Sequence, residues 1–284
     1  MIKKYYHLAK PGMIYGNALT TLAGYLFASH LHINPLLLLA TLVGIGCVIG
    51  SACVFNNYID RDIDALMERT QERELVLGSV SKHNALSFGI LLGLIGFFTL
   101  YSFVNILTVL MAFVGFFSYV FLYTYAKRKS HWGTQVGSIS GAMPIVVGYT
   151  AATNRLDMAA LLLFLCMVLW QMPHFYSIAI RRIEDYRKAK IPVLPIAKGV
   201  RTTKISIVLY IFAYLVAVSS LTAFGYTGYI FEIVMMIVGI IWLIRSVQGF
   251  TTTDDIVWAK KTFLFSLVVL MTFSVMLALS PLLP

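Results

Sequence analysis

Long apolar segments follow one another along nearly the whole chain and are separated by short polar stretches. Nine segments are long enough to cross ~30 Å of hydrocarbon as α-helices. They are predicted near residues 12–30, 36–59, 85–103, 105–125, 136–153, 158–180, 203–223, 227–245 and 262–281. No alternating pattern of a membrane-spanning strand appears. The sequence therefore predicts an all-α polytopic membrane bundle with nine transmembrane helices, in a single domain over residues 1–284.

The composition indicates that lipid surrounds most of this bundle. Hydrophobic residues make up 59% of the chain and charged residues 12%, whereas soluble domains contain about 25% charged residues. Cys47, Cys53 and Cys166 lie inside apolar segments without metal-ligand spacing, which indicates core residues rather than disulfides. The polar N-terminal residues lead into no short apolar core with a cleavage site, so we expect no cleaved signal peptide.

The basic residues fall on one face of the predicted membrane. Of the 22 Lys and Arg residues, all but Arg155 lie in connections that alternating helices bring to the same side. The positive-inside rule places this side in the cytoplasm. We therefore expect an inner-membrane protein with a cytoplasmic N-terminus and an outer C-terminus. The net charge of +10 then reflects topology, and no nucleic-acid partner is expected.

Two long, charged connections on this cytoplasmic face, near 60–84 and 181–202, carry the candidate chemistry. Asn56, Asp60 and Asp64 are four residues apart, and on a helix they stack along one face over ~12 Å. Oxygen ligands suit Mg²⁺, which prefers a few carboxylates together with substrate phosphates. The alternative is a solvated helix end. We favour the metal site because neighbouring carboxylates repel one another unless a cation joins them.

Basic residues beside this stack indicate an anionic ligand. Arg69 and Arg73 are four residues apart, and arginine forks match phosphate oxygens bidentately; pairing with neighbouring glutamates is the alternative. The fourth predicted helix ends with Tyr123, Lys127, Arg128 and Lys129. They would provide either further phosphate contacts or anchors at the membrane interface.

A second set of polar residues follows the sixth predicted helix. His174 lies after Pro173, ~10 Å from the helix end if helical, and a titratable residue at membrane depth indicates function. The alternatives are a core histidine whose hydrogen bonds are satisfied, or a bond to the carbonyl that Pro173 frees. Beyond it lies a charged cluster of Arg181, Arg182, Asp185 and Lys190. The recurrence of such clusters after helices two and six suggests a four-helix unit used twice, near 10–130 and 136–245, with a ninth helix at 262–281.

These motifs resemble those of the UbiA-type intramembrane prenyltransferases. The resemblance covers about residues 8 to 280 and rests first on Asn56-xxx-Asp60-xxx-Asp64, followed by Arg69-Thr70-xx-Arg73. The stretch 56–70 is similar to the branch of the family that farnesylates haem. So are Pro173-His174-Phe175, the segment 185–195, Lys10-Pro11-Gly12 and Asn17.

The resemblance implies a nine-helix bundle and Mg²⁺-dependent transfer of farnesyl from farnesyl diphosphate to a vinyl group of haem b, which is a substrate and not a cofactor. The implied metal-binding and catalytic residues are Asn56, Asp60, Asp64 and Asp185. The implied substrate-binding residues are Arg69, Arg73, Lys127, Lys129, His174, Arg181, Arg182 and Lys190. Association with a haem A synthase or a terminal oxidase assembly is a further expectation.

Two alternatives remain open at the level of sequence. Another UbiA-type enzyme would act on a quinone or chlorophyll precursor, but such relatives carry a second Asp-xxx-Asp motif, and here its first position is Arg181. Glu74 also stands where relatives commonly have proline. A secondary transporter would place ionisable residues near the bilayer midplane on broken helices, whereas here they gather at one face.

Overall fold

Helices make up the fold of the computed structural model, which describes residues 2–284. The α-helices are α1 (Ile2–Leu8), α2 (Pro11–Ala28), α3 (Pro35–Asp64), α4 (Lys82–Phe103), α5 (Ile106–Phe117), α6 (Thr124–Lys129), α7 (Gly133–Thr153), α8 (Met158–Arg181), α9 (Ile183–Lys188), α10 (Leu194–Ala197), α11 (Val200–Ala223), α12 (Tyr229–Val247) and α13 (Asp255–Leu279). A π-helix (Ser118–Tyr123) joins α5 to α6, and 3₁₀ turns follow α12 (Gln248–Phe250) and α13 (Ser280–Leu282). No strand occurs within this described range.

Several helices begin where a short polar side chain caps the first turn. Asn34, Ser81, Asn105, Asp157 and Asp254 each accept a hydrogen bond from a backbone N–H two or three residues further on. Such caps satisfy N–H groups that have no partner inside the helix. The starts of α3, α4, α5, α8 and α13 are therefore set by the local sequence.

The long helices form a ring in which sequence neighbours pack together. α2 also packs against α7 and α13, and α13 packs against α8 and α12, which closes the ring. α2 and α7 approach most closely at two glycines: a Cβ at Gly24 would lie 2.2 Å from the Ile145 carbonyl oxygen, and one at Gly148 would lie 2.0 Å from that of Thr21. Small residues allow such backbone contact in membrane bundles.

Eight helical segments within residues 2–284 are long and apolar enough to cross a membrane. The helix predicted near 12–30 is present as α2, but it is not among these eight, so the count of nine spans is not confirmed. The 18 residues of α2 include Asn17, Thr20 and Thr21. The two threonine hydroxyls donate to the Asn17 carbonyl oxygen, each at 2.9 Å, so the polarity that lowers its hydropathy is satisfied within the helix.

Two predicted helix boundaries are wrong in the same direction. The second predicted helix continues five residues further, to Asp64, and the fourth continues through the π-helix to Lys129. The prediction ended each helix where charged residues begin. Charge, however, marks the edge of the hydrocarbon layer, and a helix can continue beyond this edge when its polar residues find partners.

The two long connections cover one end of the bundle. Ile63 in the last turn of α3 and Met67 in the connection after it pack with Ala189 and Ile191 of the connection after α8. This contact brings together the two charged segments that the sequence places more than a hundred residues apart.

Candidate active site

A cavity of about 800 Å³ opens beneath these two connections. Its walls come from α2, α3, α5, the π-helix, α6, α7, α8 and α13, together with residues of both connections. The volume lies within the range of small-molecule and cofactor sites. The predicted site residues can therefore be tested by whether they line this cavity.

The predicted oxygen-ligand stack is present on one face of α3. Asn56, Asp60 and Asp64 all line the cavity and are 3%, 2% and 3% exposed. The Asn56 side-chain amide donates to Asp60 Oδ2 at 2.6 Å. Asp62 lies on another face of α3, where Arg128 binds both of its carboxylate oxygens at 2.8 and 2.7 Å.

Each member of the stack has a basic partner. Lys127 forms an ion pair with Asp60, and Arg73 Nη1 lies 2.5 Å from Asp64 Oδ2. Lys10 Nζ donates to Asn56 Oδ1 at 2.9 Å. These cations satisfy carboxylates that would be costly to bury alone.

The cavity mouth is strongly basic. Besides the three cations on the stack, Arg69, Arg181 and Arg182 line it. Six basic side chains thus face two carboxylates in the lining. This arrangement suits a polyanion such as a diphosphate better than a neutral ligand.

Lys10 was not among the predicted binding residues, although its Lys-Pro-Gly motif was noted. It adopts a left-handed conformation, with φ of 53°, immediately before Pro11 at the start of α2. Burial lowers the pKa of Lys10 to about 8. The left-handed turn brings this amine to Asn56, a contact between two helices that spacing along the chain could not predict.

The π-helix contributes Tyr119, which the sequence did not indicate, and Tyr123, which belongs to the predicted group at the end of the fourth helix. Tyr119 and Tyr123 line the cavity and stack with ring centroids 5.6 Å apart. The Tyr119 hydroxyl donates to Asn56 Oδ1 at 3.4 Å, and Lys127 Nζ lies 4.9 Å from the centroid of the Tyr123 ring. π-Helical segments often occur at functional sites; here one places both tyrosines and Lys127 on the cavity side.

Asp185, in the charged connection after α8, supports the cavity mouth without lining the cavity. Asp185 is 7% exposed, and its Oδ1 accepts a hydrogen bond from the Glu68 backbone N–H at 3.3 Å. Its Oδ2 is buried without a hydrogen-bond partner, 4.0 Å from Arg182. The neighbouring Tyr186 does line the cavity, and burial raises its pKa to about 12.

Three predicted binding residues do not line the cavity. Lys129 and Lys190 are exposed. His174 does not line the cavity, but its ring contacts two residues that do. Its ring centroid is 5.3 Å from that of Phe175 and 4.9 Å from that of Phe263.

The tautomer of His174 follows from its hydrogen bonds. Nδ1 lies 2.8 Å from Ser266 Oγ, and the Ser266 hydroxyl donates to the Phe263 carbonyl oxygen at 2.6 Å. Ser266 must then accept from His174, so Nδ1 carries the proton and Nε2 keeps a lone pair. His174 therefore does not bond to a carbonyl freed by Pro173, but its bond to Ser266 fits the other predicted alternative, a core histidine whose hydrogen bonds are satisfied.

The donor set fits a hard cation held jointly with a ligand. Within residues 2–284, no group of three or more His, Cys, Asp and Glu side chains could hold a metal ion alone. Two cavity-lining carboxylates and one amide oxygen fit Mg²⁺, which usually takes one or two carboxylates, water and substrate phosphates.

Comparison with known sequences places this site in a family context. The sequence family described as "UbiA prenyltransferase family" matches residues 17–268. A "Protoheme IX farnesyltransferase" of Yersinia pseudotuberculosis is 47% identical over 279 residues, which is 98% of this chain and 95% of the relative. A protein of the same name from Photorhabdus laumondii is 46% identical over 285 residues, which is 100% of this chain and 97% of the relative.

Solved structures share the fold at low sequence identity. A structure of digeranylgeranylglyceryl phosphate synthase matches with a TM-score of 0.82 at 19% identity, covering 99% of this chain and 98% of the other. A UbiA homolog from Archaeoglobus fulgidus bound to DMAPP and Mg²⁺ matches with a TM-score of 0.74 at 14% identity, covering 94% and 99%. At these identities the likeness concerns the arrangement of the helices.

Proposed function

The chain belongs to the UbiA prenyltransferase family, and from this membership we propose that it transfers the farnesyl group of farnesyl diphosphate to a vinyl group of haem b. Diphosphate is released, and addition of water leaves haem O. The observation that carries this proposal is a single cavity in which a basic, carboxylate-bearing mouth continues into an apolar interior. The relatives named protoheme IX farnesyltransferase, at 46–47% identity over nearly the whole chain, support haem b as the acceptor.

Asn56, Asp60 and Asp64 would hold Mg²⁺ together with the diphosphate, and Asp185 would support this acidic side of the mouth. When bound, the ion neutralises charge on the diphosphate and makes it a better leaving group. The Archaeoglobus fulgidus homolog has been solved with Mg²⁺ and a prenyl diphosphate, which favours the same metal here.

Arg69, Arg73 and Lys127 would bind the diphosphate oxygens, since all three line the cavity beside the carboxylates. Arg73 and Lys127 pair with Asp64 and Asp60, and diphosphate and metal can replace these pairs without leaving a buried charge alone. Lys10 adds a cation on the opposite side of Asn56. Lys129 is exposed and does not line the cavity, so its proposed part in binding the diphosphate is a supporting one.

Charge separation during the transfer must be shielded from water. The C1–O bond of farnesyl breaks with its electron pair going to the diphosphate, and the vinyl carbon of haem b forms the new bond to C1. Water then adds to the resulting cation and loses a proton. The apolar interior keeps water away from the farnesyl cation, and the Tyr119 and Tyr123 rings present π-faces that favour positive charge.

Haem b would bind on the side of the cavity formed by α8 and α13. Arg181 and Arg182 line this side and suit the carboxylates of the haem propionates, with Lys190 at the exposed edge. His174 has an unprotonated Nε2 fixed by its bond to Ser266, the arrangement usual for a metal-ligating histidine. We propose that His174 orients or ligates the haem iron.

The remaining proposals concern the cellular setting. The basic-residue distribution supports an inner-membrane protein with its N-terminus in the cytoplasm and its C-terminus outside. The product of this reaction would pass to an enzyme or oxidase that consumes haem O, so association with a haem A synthase or terminal oxidase assembly is proposed.

Incubation of the purified protein with labelled farnesyl diphosphate and haem b tests the proposed reaction. We expect label to appear in haem only when Mg²⁺ is present, and to disappear when the ion is chelated. A quinone precursor and a chlorophyll precursor supplied in place of haem b serve as comparators. Transfer of label to either of these, with none to haem, would replace the proposed acceptor.

A further inference from the structure

One arm of the cavity runs from the charged mouth into the middle of the bundle. On α3 its lining residues recur every three or four positions, and every one beyond Asn56 is apolar: Cys53, Ala52, Ile49, Val48 and Ile45. An α-helix rises 1.5 Å per residue, so the arm extends ~16 Å from Asn56 to Ile45.

The walls opposite α3 also change from polar to apolar residues between the mouth and the inner part of the cavity. Along α5 and its continuation, the lining passes from Lys127, Tyr123 and Tyr119 to Phe116 and Ala112. On α7, Met143 and Pro144 line the inner part of the cavity. Along α3 and α5 the arm is therefore polar only at its mouth, as a site for a charged head and an apolar chain requires; the other polar lining residues away from the mouth, Asn17, Ser140 and Gln171, lie on α2, α7 and α8.

The far end of the arm is closed by packed protein. Ile45, Val48 and Ala112 are 3%, 2% and 1% exposed, and they belong to one apolar cluster with Leu100 and Val147. Protein interiors are close-packed and yield little space. A ligand longer than the arm must therefore displace packed side chains, because the arm does not continue into lipid at this point.

The length of this arm matches a chain of three isoprene units. A fully extended farnesyl main chain measures ~15 Å, given a C–C bond of ~1.5 Å. One isoprene unit fewer leaves ~5 Å of the arm empty, and one more extends ~5 Å beyond Ile45 by the same bond length. Ala112 faces this end with the smallest side chain that carries a Cβ, so any larger residue there would shorten the arm.

We propose that Ile45 and Ala112 form the end wall that sets the length of the prenyl chain this protein accepts. The proposal rests on the proposed function, in which the diphosphate lies at Asn56 and Asp60. Shortening Ile45 lengthens the arm, and enlarging Ala112 shortens it. A single methylene in an apolar pocket changes discrimination by about tenfold or more, so both substitutions should change chain-length preference measurably.

The test is a competition among geranyl, farnesyl and geranylgeranyl diphosphates at equal concentration. The full-length protein in nanodiscs is supplied with haem b and Mg²⁺, and mass spectrometry gives the ratio of prenylated haems. We expect Ile45→Ala to raise the geranylgeranyl-to-farnesyl ratio about tenfold or more, and Ala112→Leu to raise the geranyl-to-farnesyl ratio by a similar factor. Retained turnover of the favoured chain shows that each variant is folded.

Ile145→Ala is the matched control. Ile145 is 1% exposed and does not line the cavity, so this variant should lose stability without changing either ratio. If Ile45→Ala or Ala112→Leu does not fold, Ile45→Val and Ala112→Val test the same end wall and should shift the ratios in the same directions by smaller factors.

Binding of the three prenyl diphosphates with Mg²⁺ but without haem provides a second readout. If both variants form farnesylated haem with unchanged ratios of prenylated haems and unchanged relative affinities for the three diphosphates, the end-wall proposal is overturned. The proposed function would then remain intact. Absence of any prenylated haem from the unsubstituted protein would overturn the proposed function. Chain-length preference in binding would then decide the end wall by itself.

Discussion

Arg73 Nη1 lies 2.5 Å from Oδ2 of Asp64, so an arginine nine residues beyond a buried carboxylate folds back onto it at the cavity wall. The connection between them makes a turn in which the Thr70 hydroxyl donates to the Asp64 carbonyl oxygen at 2.9 Å. The pair has two consequences: it allows Asp64 to be buried, and it holds a guanidinium where a diphosphate would bind.

The first prediction separates these two consequences. Arg73→Lys keeps a positive charge near Asp64 but loses the planar fork that matches phosphate. We expect the KM for farnesyl diphosphate to rise roughly tenfold while kcat changes less, because a charge-assisted hydrogen bond contributes ~1.5–3 kcal/mol. Arg187→Lys is the control, since Arg187 is exposed and pairs with Glu184 away from the cavity. Equal effects of the two substitutions would contradict a phosphate role for Arg73.

The second prediction concerns the two faces of α3. Asp60→Asn removes a charge from the cavity while keeping the side-chain shape, and we expect kcat/KM to fall roughly a hundredfold or more, as loss of a metal ligand worth several kcal/mol requires. Asp62→Asn should cost less than about fivefold, because its bond to Arg128 is an exposed ion pair worth ~0.2–1 kcal/mol.

Steady-state rates for both variants over a range of Mg²⁺ concentrations provide the measurement, and the thermal midpoint shows whether each protein is folded. Raising the Mg²⁺ concentration should partly restore Asp60→Asn and leave Asp62→Asn unchanged. Similar losses for both variants would show that the assignment of the two faces to different roles is wrong.

Residue spacing predicted those features that one helix determines. The four-residue repeat of Asn56, Asp60 and Asp64 fixed their common face once α3 was helical. The lysine of the mouth, Lys10, could not be placed in this way, because its contact with Asn56 depends on how α1 and α2 meet α3. The left-handed backbone at Lys10 is a tertiary outcome that the Lys-Pro-Gly sequence permits but does not require.

The sequence also could not predict which residues of the fourth predicted helix reach the cavity. In a regular α-helix through residues 105–125, the helical repeat fixes which side chains share a face. The π-helix from Ser118 to Tyr123 changes which of the following side chains lie on that face. Tyr119 and Tyr123 therefore reach the cavity for a reason that apolar periodicity does not reveal. His174 lies in a helix that ends at Arg181, as predicted, but its partner Ser266 lies on α13, 92 residues away.

The third prediction concerns orientation in the membrane. With the 65–81 connection in the cytoplasm, the seven qualifying segments that follow it place the C-terminus outside, and the N-terminus is cytoplasmic only if α2 crosses the membrane before α3. We expect a reporter fused after Pro284 to be located outside the cytoplasm, and one inserted in the 65–81 connection to be cytoplasmic. If a reporter at the N-terminus lay outside the cytoplasm while the one in the 65–81 connection was cytoplasmic, α2 would not be a span and the predicted count of nine would be wrong.

The last prediction concerns His174, whose Nδ1–H bond to Ser266 leaves Nε2 with a lone pair. His174→Ala should lower the affinity for haem b roughly tenfold or more, a loss of at least ~1.4 kcal/mol, and leave the affinity for farnesyl diphosphate nearly unchanged. Ser266→Ala should weaken haem binding less, because second-shell partners orient a ligand without forming its bond. Titration with haem b followed by absorbance measures the first affinity, and calorimetry with farnesyl diphosphate measures the second. Arg69→Ala should show the reverse pattern because its partner is phosphate. If His174→Ala lost farnesyl diphosphate and kept haem, His174 would belong to the diphosphate side of the cavity; if it lost only thermal stability, its ring would serve the packing of α8 on α13.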